Sequence, residues 1–408
     1  MKTLGSVIRG FRDVPSQLIA YTVIDAFFWS LIWLIEAPYL KTLGFTPFEF
    51  GLFGSISVAS SIVMLPISGW IVDRFSLIHV MIVSLIASSG SILLIVTGVK
   101  ILIYLSAFLG GFAGSIPFIG FRVLVSRVVK EERYYYVYPY IDAIDMVGSA
   151  IGSYAGWLPE IIVRTYSLSY LEVYKYTLLT AAMLSLLAII PLTKIKTVNT
   201  PKASMSVGGF LESFRGIPKS TWRVIGKIMV FEALIGLGAA MSIHNISYYF
   251  MLKYGVESGE LGTLYGTESL LMALLMMFMP KVSEFIGSPL KAFILVSFTS
   301  IPLLVAITLV NSYLLAFTLY IVRTVLMNVA NPLFTAFMMA IVPPEHRGKA
   351  SSIVDLSRSV PSAIGRGLGG YLLGIDLQLP LRITAIIYSL SLTYLFLVFR
   401  SGKSSEIK

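Results

Sequence analysis

The 408-residue chain contains no cysteine, and its three histidines, His79, His244 and His346, lie far apart. The first absence excludes disulfides, thiolate metal sites and cysteine nucleophiles. The second leaves no histidine spacing suited to a metal. Charge is scarce as well: 13% of residues are charged, against about 25% in soluble domains. No Gly-rich loop ending in Gly-Lys-Ser/Thr is present, so the chain has no site to cradle a nucleotide phosphate. No convergent set of His, Ser and carboxylate points to an enzyme, and no cofactor is implied. What fills the chain instead is apolar, with 56% hydrophobic residues and a mean hydropathy of +0.84. A formal charge of +10 would suit an anionic partner in a soluble protein; here its placement speaks of membrane orientation, not nucleic acid. These proportions belong to a polytopic membrane protein whose partner is the lipid bilayer.

A spanning helix needs about 20 mostly apolar residues. Such stretches lie near 18–40, 50–72, 77–99, 101–126, 136–162 and 172–193, then near 224–252, 259–280, 290–311, 312–341, 352–375 and 381–399. The spacing predicts an all-α membrane protein of twelve transmembrane helices in two six-helix bundles, 1–193 and 224–408, joined by a basic linker at 194–223. Most of the 31 lysines and arginines fall on the side of the two termini and the linker. The opposite side holds only Lys41, Lys100, Arg164, Lys175, Lys253 and Arg382. Basic residues favour the cytoplasm, so both termini are expected there, in a multi-pass protein of the cell membrane, read as a monomer.

The halves repeat. Val23-Ile24-Asp25-Ala26 in span 1 matches Val230-Phe231-Glu232-Ala233 in span 7, and Gly44, Glu49 and Gly51 recur as Gly255, Glu260 and Gly262. Asp142, Asp145, Ser149-Ala150-Ile151-Gly152 and Gly156 in span 5 match Asp355, Arg358, Ser362-Ala363-Ile364-Gly365 and Gly369 in span 11. Repeats related by an axis along the membrane normal are a mark of secondary transporters. The loop after span 2 reads Gly69-Trp70-Ile71-Val72-Asp73-Arg74-Phe75-Ser76-Leu77. With these features the chain resembles the major facilitator superfamily over essentially its whole length. That family's motif runs Gly-x-x-x-Asp-Arg-x-Gly-Arg/Lys; Ser76 and Leu77 depart from it. The resemblance implies two pseudo-symmetric bundles, alternating access, and a central cavity lined by spans 1, 4, 7 and 10. It also implies that Asp73, flanked by Gly69 and Arg74, caps the start of span 11 near Ser351-Ser352 and acts as a conformational switch. Gly148, Gly152 and Gly156 keep the glycines of the span-5 motif found in many of the family's antiporters, without its proline.

Charges inside spans cost about 2.5–3.5 kcal/mol each on insertion scales, so they mark function. Asp25 and Glu36 are 11 residues apart, which leaves about 20° between them around a helix. Trp29 shares their face and Trp33 borders it, which points to a cavity lining. Asp25 and its counterpart Glu232 are the candidate proton-coupling acids. Substrate-binding candidates are Trp29, Trp33, Glu36, His244, Asn245, Glu268 and Arg323, the last two at comparable depth in spans 8 and 10. Arg122, Asp142, Asp145, Asp355 and Arg358 lie near the cytoplasmic ends and read as gate residues. The expected function is secondary transport of a small organic solute coupled to protons, with export of amphipathic or cationic compounds by an antiporter as the leading form. The alternative is a proton-coupled importer or facilitator of sugars or carboxylated metabolites that uses Arg323 as ligand.

Overall fold

A computed structural model of the chain describes residues 14–129, 134–195, 218–276, 278–343 and 346–399. These are almost wholly helical. The first half contains α1 (Ser16–Thr42), α2 (Pro47–Arg74), α3 (Leu77–Ile95), α4 (Lys100–Val128), α5 (Tyr134–Tyr154), α6 (Trp157–Tyr166), α7 (Tyr170–Ser185) and α8 (Ile189–Thr193). The second contains α9 (Lys219–Ser242), α10 (Ile246–Tyr254), α11 (Ser258–Met276), α12 (Met279–Ile286), α13 (Pro289–Leu309), α14 (Tyr313–Val329), α15 (Asn331–Ile341), α16 (Arg347–Ile375) and α17 (Leu379–Phe399). Every apolar stretch of the sequence is therefore helical. Nine described helical segments are long and apolar enough to cross a membrane. The stretches that miss this criterion are α5, α11 and α16, which carry glycine edges and in-span charges and use those faces against protein.

Among the described residues four spans differ from continuous rods. Span 5 breaks at Ala155-Gly156, between α5 and α6; span 6 passes through the 3-10 turn Leu186–Ala188, between α7 and α8; span 7 breaks at the 3-10 turn Ile243–Asn245; span 10 breaks at Ala330, before Asn331-Pro332. In the last case the proline restricts the preceding residue. Helices α9 and α16 also begin about five residues before their apolar stretches, because Lys219–Arg223 and Arg347–Ser351 are polar turns that hydropathy overlooks.

The chain forms two compact units. Unit 1 comprises Met1–Gly44, Ala59–Val207 and Glu257–Leu270; unit 2 comprises Phe45–Val58, Gly208–Val256 and Leu271–Lys408. Unit 1 thus includes the start of α11, and unit 2 the start of α2. In unit 1 a core of Leu18, Tyr21, Met81, Leu85, Leu124, Ile141 and Leu192 joins α1, α3, α4, α5 and α8. In unit 2 the rings of Phe231, Phe293 and Phe334 meet at 5.0–5.9 Å between centroids, uniting α9, α13 and α15.

The sequence repeat has a structural cause at each landmark. Gly44 and Gly255 take φ of +80° and +67°, the left-handed turn that ends α1 and α10 and favours glycine. Glu49 and Glu260 reach back to the main-chain N–H groups of Thr46 (2.8 Å) and Glu257 (3.1 Å), as in a capping box. The glycine edges press helix on helix. Gly152 of α5 lies against the Phe27 carbonyl of α1, and Gly365 of α16 lies against the Leu237 carbonyl of α9. A Cβ at either place would meet backbone oxygen, so only glycine allows the approach.

Candidate substrate and proton-coupling site

The glycine edge of α5 brings its acids to α1. Asp25 is half-buried, its Oδ1 has no hydrogen-bond partner, and no cation among the described residues lies within ion-pair distance. What faces it is another acid, Asp145, near enough for like-charge repulsion. Asp142, one turn earlier, lies in the field of Arg122. Tyr21, 2% exposed, lies in the field of both Asp25 and Asp145, and its ring stacks on Phe121 at 5.7 Å. Unit 1 therefore holds two like-charged carboxyl groups on packed helices, Asp25 half-buried and Asp145 exposed. Glu36 shares a face with Asp25 but sits about 16 Å further along α1. Trp29 is half-buried, and Trp33 is 69% exposed.

Unit 2 holds the pseudo-equivalent place. Glu232 of α9 is buried and accepts from Arg358 Nη1 of α16 at 3.3 Å. Asp355 lies near enough for its charge to reach Glu232. In the repeat Glu232 matches Asp25 and Arg358 matches Asp145. One register thus holds acid against acid, the other acid against base. The sequence had grouped Arg358 with Asp355 as a gate; the fold joins it to Glu232, because the pairing runs between α9 and α16.

Asn245, expected at the substrate, is buried with its amide turned onto backbone: Nδ2 donates to the carbonyls of Ala240, Met241 and Arg366 at 3.1–3.3 Å. It thereby fills acceptors that the break in span 7 would otherwise leave open. His244 beside it is exposed, in the field of Arg366 and Arg358. Arg323, in α14, is 1% exposed; its Nε and Nη2 have no hydrogen-bond partner, and its guanidinium lies 5.3 Å from the Tyr388 ring centroid. No described carboxylate is within ion-pair distance of Arg323. Glu268 belongs to unit 1 and is half-buried. Gly69 and Asp73 fall in the last turns of α2, and their side chains lie outside the described residues; Arg74 is exposed. Helix α16 starts at Arg347, with His346 rather than Ser351 at its N-cap.

Two helix seams escaped the sequence reading. In unit 1, α11 is tied to α5 and α6: Ser258 Oγ donates to Gly156 O (2.8 Å), Trp157 Nε1 to Thr263 Oγ1 (2.8 Å), and the Gly259 N–H to Glu160 Oε1 (2.6 Å). In unit 2 the start of α2 is tied to α16. The Gly367 N–H donates to Ser55 Oγ at 2.8 Å, and Gly51 lies against the Arg366 carbonyl. The glycines at 51 and 54, and at 259, 262 and 266, were the available signal, since small residues at helical spacing mark close packing.

Comparison with known proteins agrees with this architecture. The family model for the Major Facilitator Superfamily matches residues 18–365 and again 228–408. Similar solved structures include a bacterial homologue of the human lysosomal transporter Spinster, 15% identical over 94% of this chain and 96% of that one, with a TM-score of 0.71. A variant of the nucleoside transporter NupG is 16% identical over 94% and 99%, with a TM-score of 0.74. A bacterial homologue of the iron transporter ferroportin is 13% identical over 93% and 97%, with a TM-score of 0.73. No curated protein matches the chain significantly. At such identities the solved structures speak for the fold alone, while the family model spans most of the chain. The protein is a multi-pass membrane transporter, not an enzyme, and belongs to the major facilitator superfamily.

Proposed function

We propose that this chain is a proton-coupled secondary transporter of a small organic solute, working by alternating access, with Asp25 and Asp145 as the groups that take and release the proton. The observation that carries the reading is the asymmetry between the two pseudo-equivalent places. In unit 2 the acid is neutralised by Arg358 at 3.3 Å. In unit 1 an acid with an unpartnered Oδ1 faces a second acid. Asp25 is half-buried and Asp145 exposed, so the pair lies within reach of solvent protons while its two like charges repel each other. A proton, or a cationic solute, removes that repulsion. The site then alternates between a protonated and a charged form, as coupling requires. The excess of basic residues on the terminal side supports a cell-membrane location with cytoplasmic termini.

Two solute classes suit this site. An amphipathic or cationic compound would compete with the proton for the same two carboxylates, giving exchange and export. A sugar or carboxylated metabolite would travel with the proton, and the unpartnered Arg323 favours this second form. The test is flux in sealed proteoliposomes under an imposed pH gradient, with a pH-sensitive dye inside. Solute should move protons in the wild type and not in Asp25→Asn; opposite directions mean exchange, and the same direction cotransport. Solute flux indifferent to the gradient, or proton movement undiminished in Asp25→Asn, would overturn the assignment.

A further inference from the structure

The most confined charge in unit 2 is Arg323. It lies 10 residues into α14, about 15 Å from that helix's first residue, so its side chain is too deep to reach the interface by snorkelling. It is 1% exposed, the largest side chain among the described residues so fully buried. A buried guanidinium with no partner for its donors is costly to hold. The Tyr388 ring at 5.3 Å offers it a cation–π contact, which offsets only part of that cost. Tyr388 is held in turn by α9: a Cβ at Gly238 would lie 2.9 Å from Tyr388 Cε1, so the glycine is what admits the ring.

The two donors without partners are Nε and Nη2. These share one edge of the guanidinium plane, and their N–H bonds run parallel. That edge is the one that grips a carboxylate through both oxygens at once. A single-atom anion such as chloride would use the fork poorly; a two-oxygen group matches it. Arg323 also stands near a helix discontinuity, since α14 ends at Val329 and α15 starts at Asn331. Span 7 of unit 2 is also interrupted inside its apolar stretch, at Ile243–Asn245. Interrupted helices are where secondary transporters bind solute, because they expose main-chain polar groups at mid-membrane. The burial, the edge and the break point to one use.

We infer that Arg323 is an anion-binding residue of unit 2 that grips the carboxylate of the transported solute through Nε and Nη2, so that the solute is an organic acid. The inference rests on the proton-coupled reading above and deepens it: the proton on the Asp25–Asp145 pair and the carboxylate on Arg323 travel together and cancel in charge. Because the guanidinium is sealed in this conformation, the solute reaches it only when the interrupted spans shift, and binding is slow compared with diffusion.

The test uses the purified full-length protein and reads its melting temperature with formate, lactate, succinate, inorganic phosphate, chloride, glucose and a lipophilic cation as probes. One or more carboxylates should stabilise the wild type, while chloride, glucose and the cation do not. Arg323→Gln should lose that response while melting no lower than the wild type without ligand, since it removes an unpaired buried charge. Arg323→Lys keeps the charge but not the fork, and should bind the same carboxylate about tenfold more weakly or worse. Absence of any carboxylate effect, or an undiminished effect in Arg323→Gln, overturns the inference. Stabilisation by phosphate alone also overturns it, since the anion would then be inorganic. Asp25→Asn separates the two levels. If it still binds carboxylate but moves no protons, both readings stand; if it binds carboxylate and still moves protons, the anion site stands and the coupling assignment falls.

Discussion

At one register of the repeat, α1 and α5 set Asp25 against Asp145, whereas α9 and α16 set Glu232 against Arg358. The helices and their glycine edges correspond; the charge balance does not. Duplication gives two copies of a structural solution, and a functional site needs only one of them to depart from electrostatic comfort. The satisfied copy holds its helices together. The unsatisfied copy retains a demand for a positive charge, which is what a coupling site must have.

The strongest way to break the comparison is Asp25→Asn. It should reduce gradient-driven solute accumulation to background while leaving the melting temperature equal or higher, because it removes repulsion rather than a contact; radiolabelled uptake and a melting curve together check this. Next comes Asp145→Arg, which gives unit 1 the charge pattern of unit 2. It should form an ion pair with Asp25, raise the melting temperature and abolish proton movement. A variant that still couples would show that the acid pair is incidental. Glu232→Gln is smaller. The Glu232 side chain is 8% exposed and that of Arg358 is 44% exposed, so the loss falls between the surface and buried limits, about 1–2 kcal/mol. Proton coupling should survive it. The smallest effect belongs to the capping boxes. Glu49→Ala and Glu260→Ala, which remove the accepting oxygen, should each cost about 0.5–1 kcal/mol in thermal or denaturant unfolding.

Much of the fold was legible in residue order. Apolar length located the spanning helices but not the short α12 (Met279–Ile286), which lies between two apolar stretches, and the paired landmarks Gly44/Gly255, Glu49/Glu260 and Gly152/Gly365 announced the duplication, because each answers a local geometric need. The interruption before Pro332 was legible in principle. The turn at Ile243–Asn245 was not, since no proline or glycine marks it and Asn245 repairs it through the tertiary carbonyl of Arg366. Partnerships across helices were the least accessible. Helical spacing grouped Arg358 with Asp355 three residues away, while packing turned it to Glu232. Asn245 looked like a ligand because it is a polar residue in a span, yet its donors serve the backbone. Arg323 was visible as a deep charge, but only the fold shows that its Nε–Nη2 edge is unpartnered.

The central claim is that unit 1, and not unit 2, holds the exchangeable proton. Infrared difference spectroscopy on membranes of the full-length protein tests it most directly, by following the carbonyl stretch of protonated carboxyl groups as pH changes. The account predicts a titrating band in the wild type that vanishes in Asp25→Asn and persists in Glu232→Gln. A band that survives Asp25→Asn and vanishes in Glu232→Gln would contradict it.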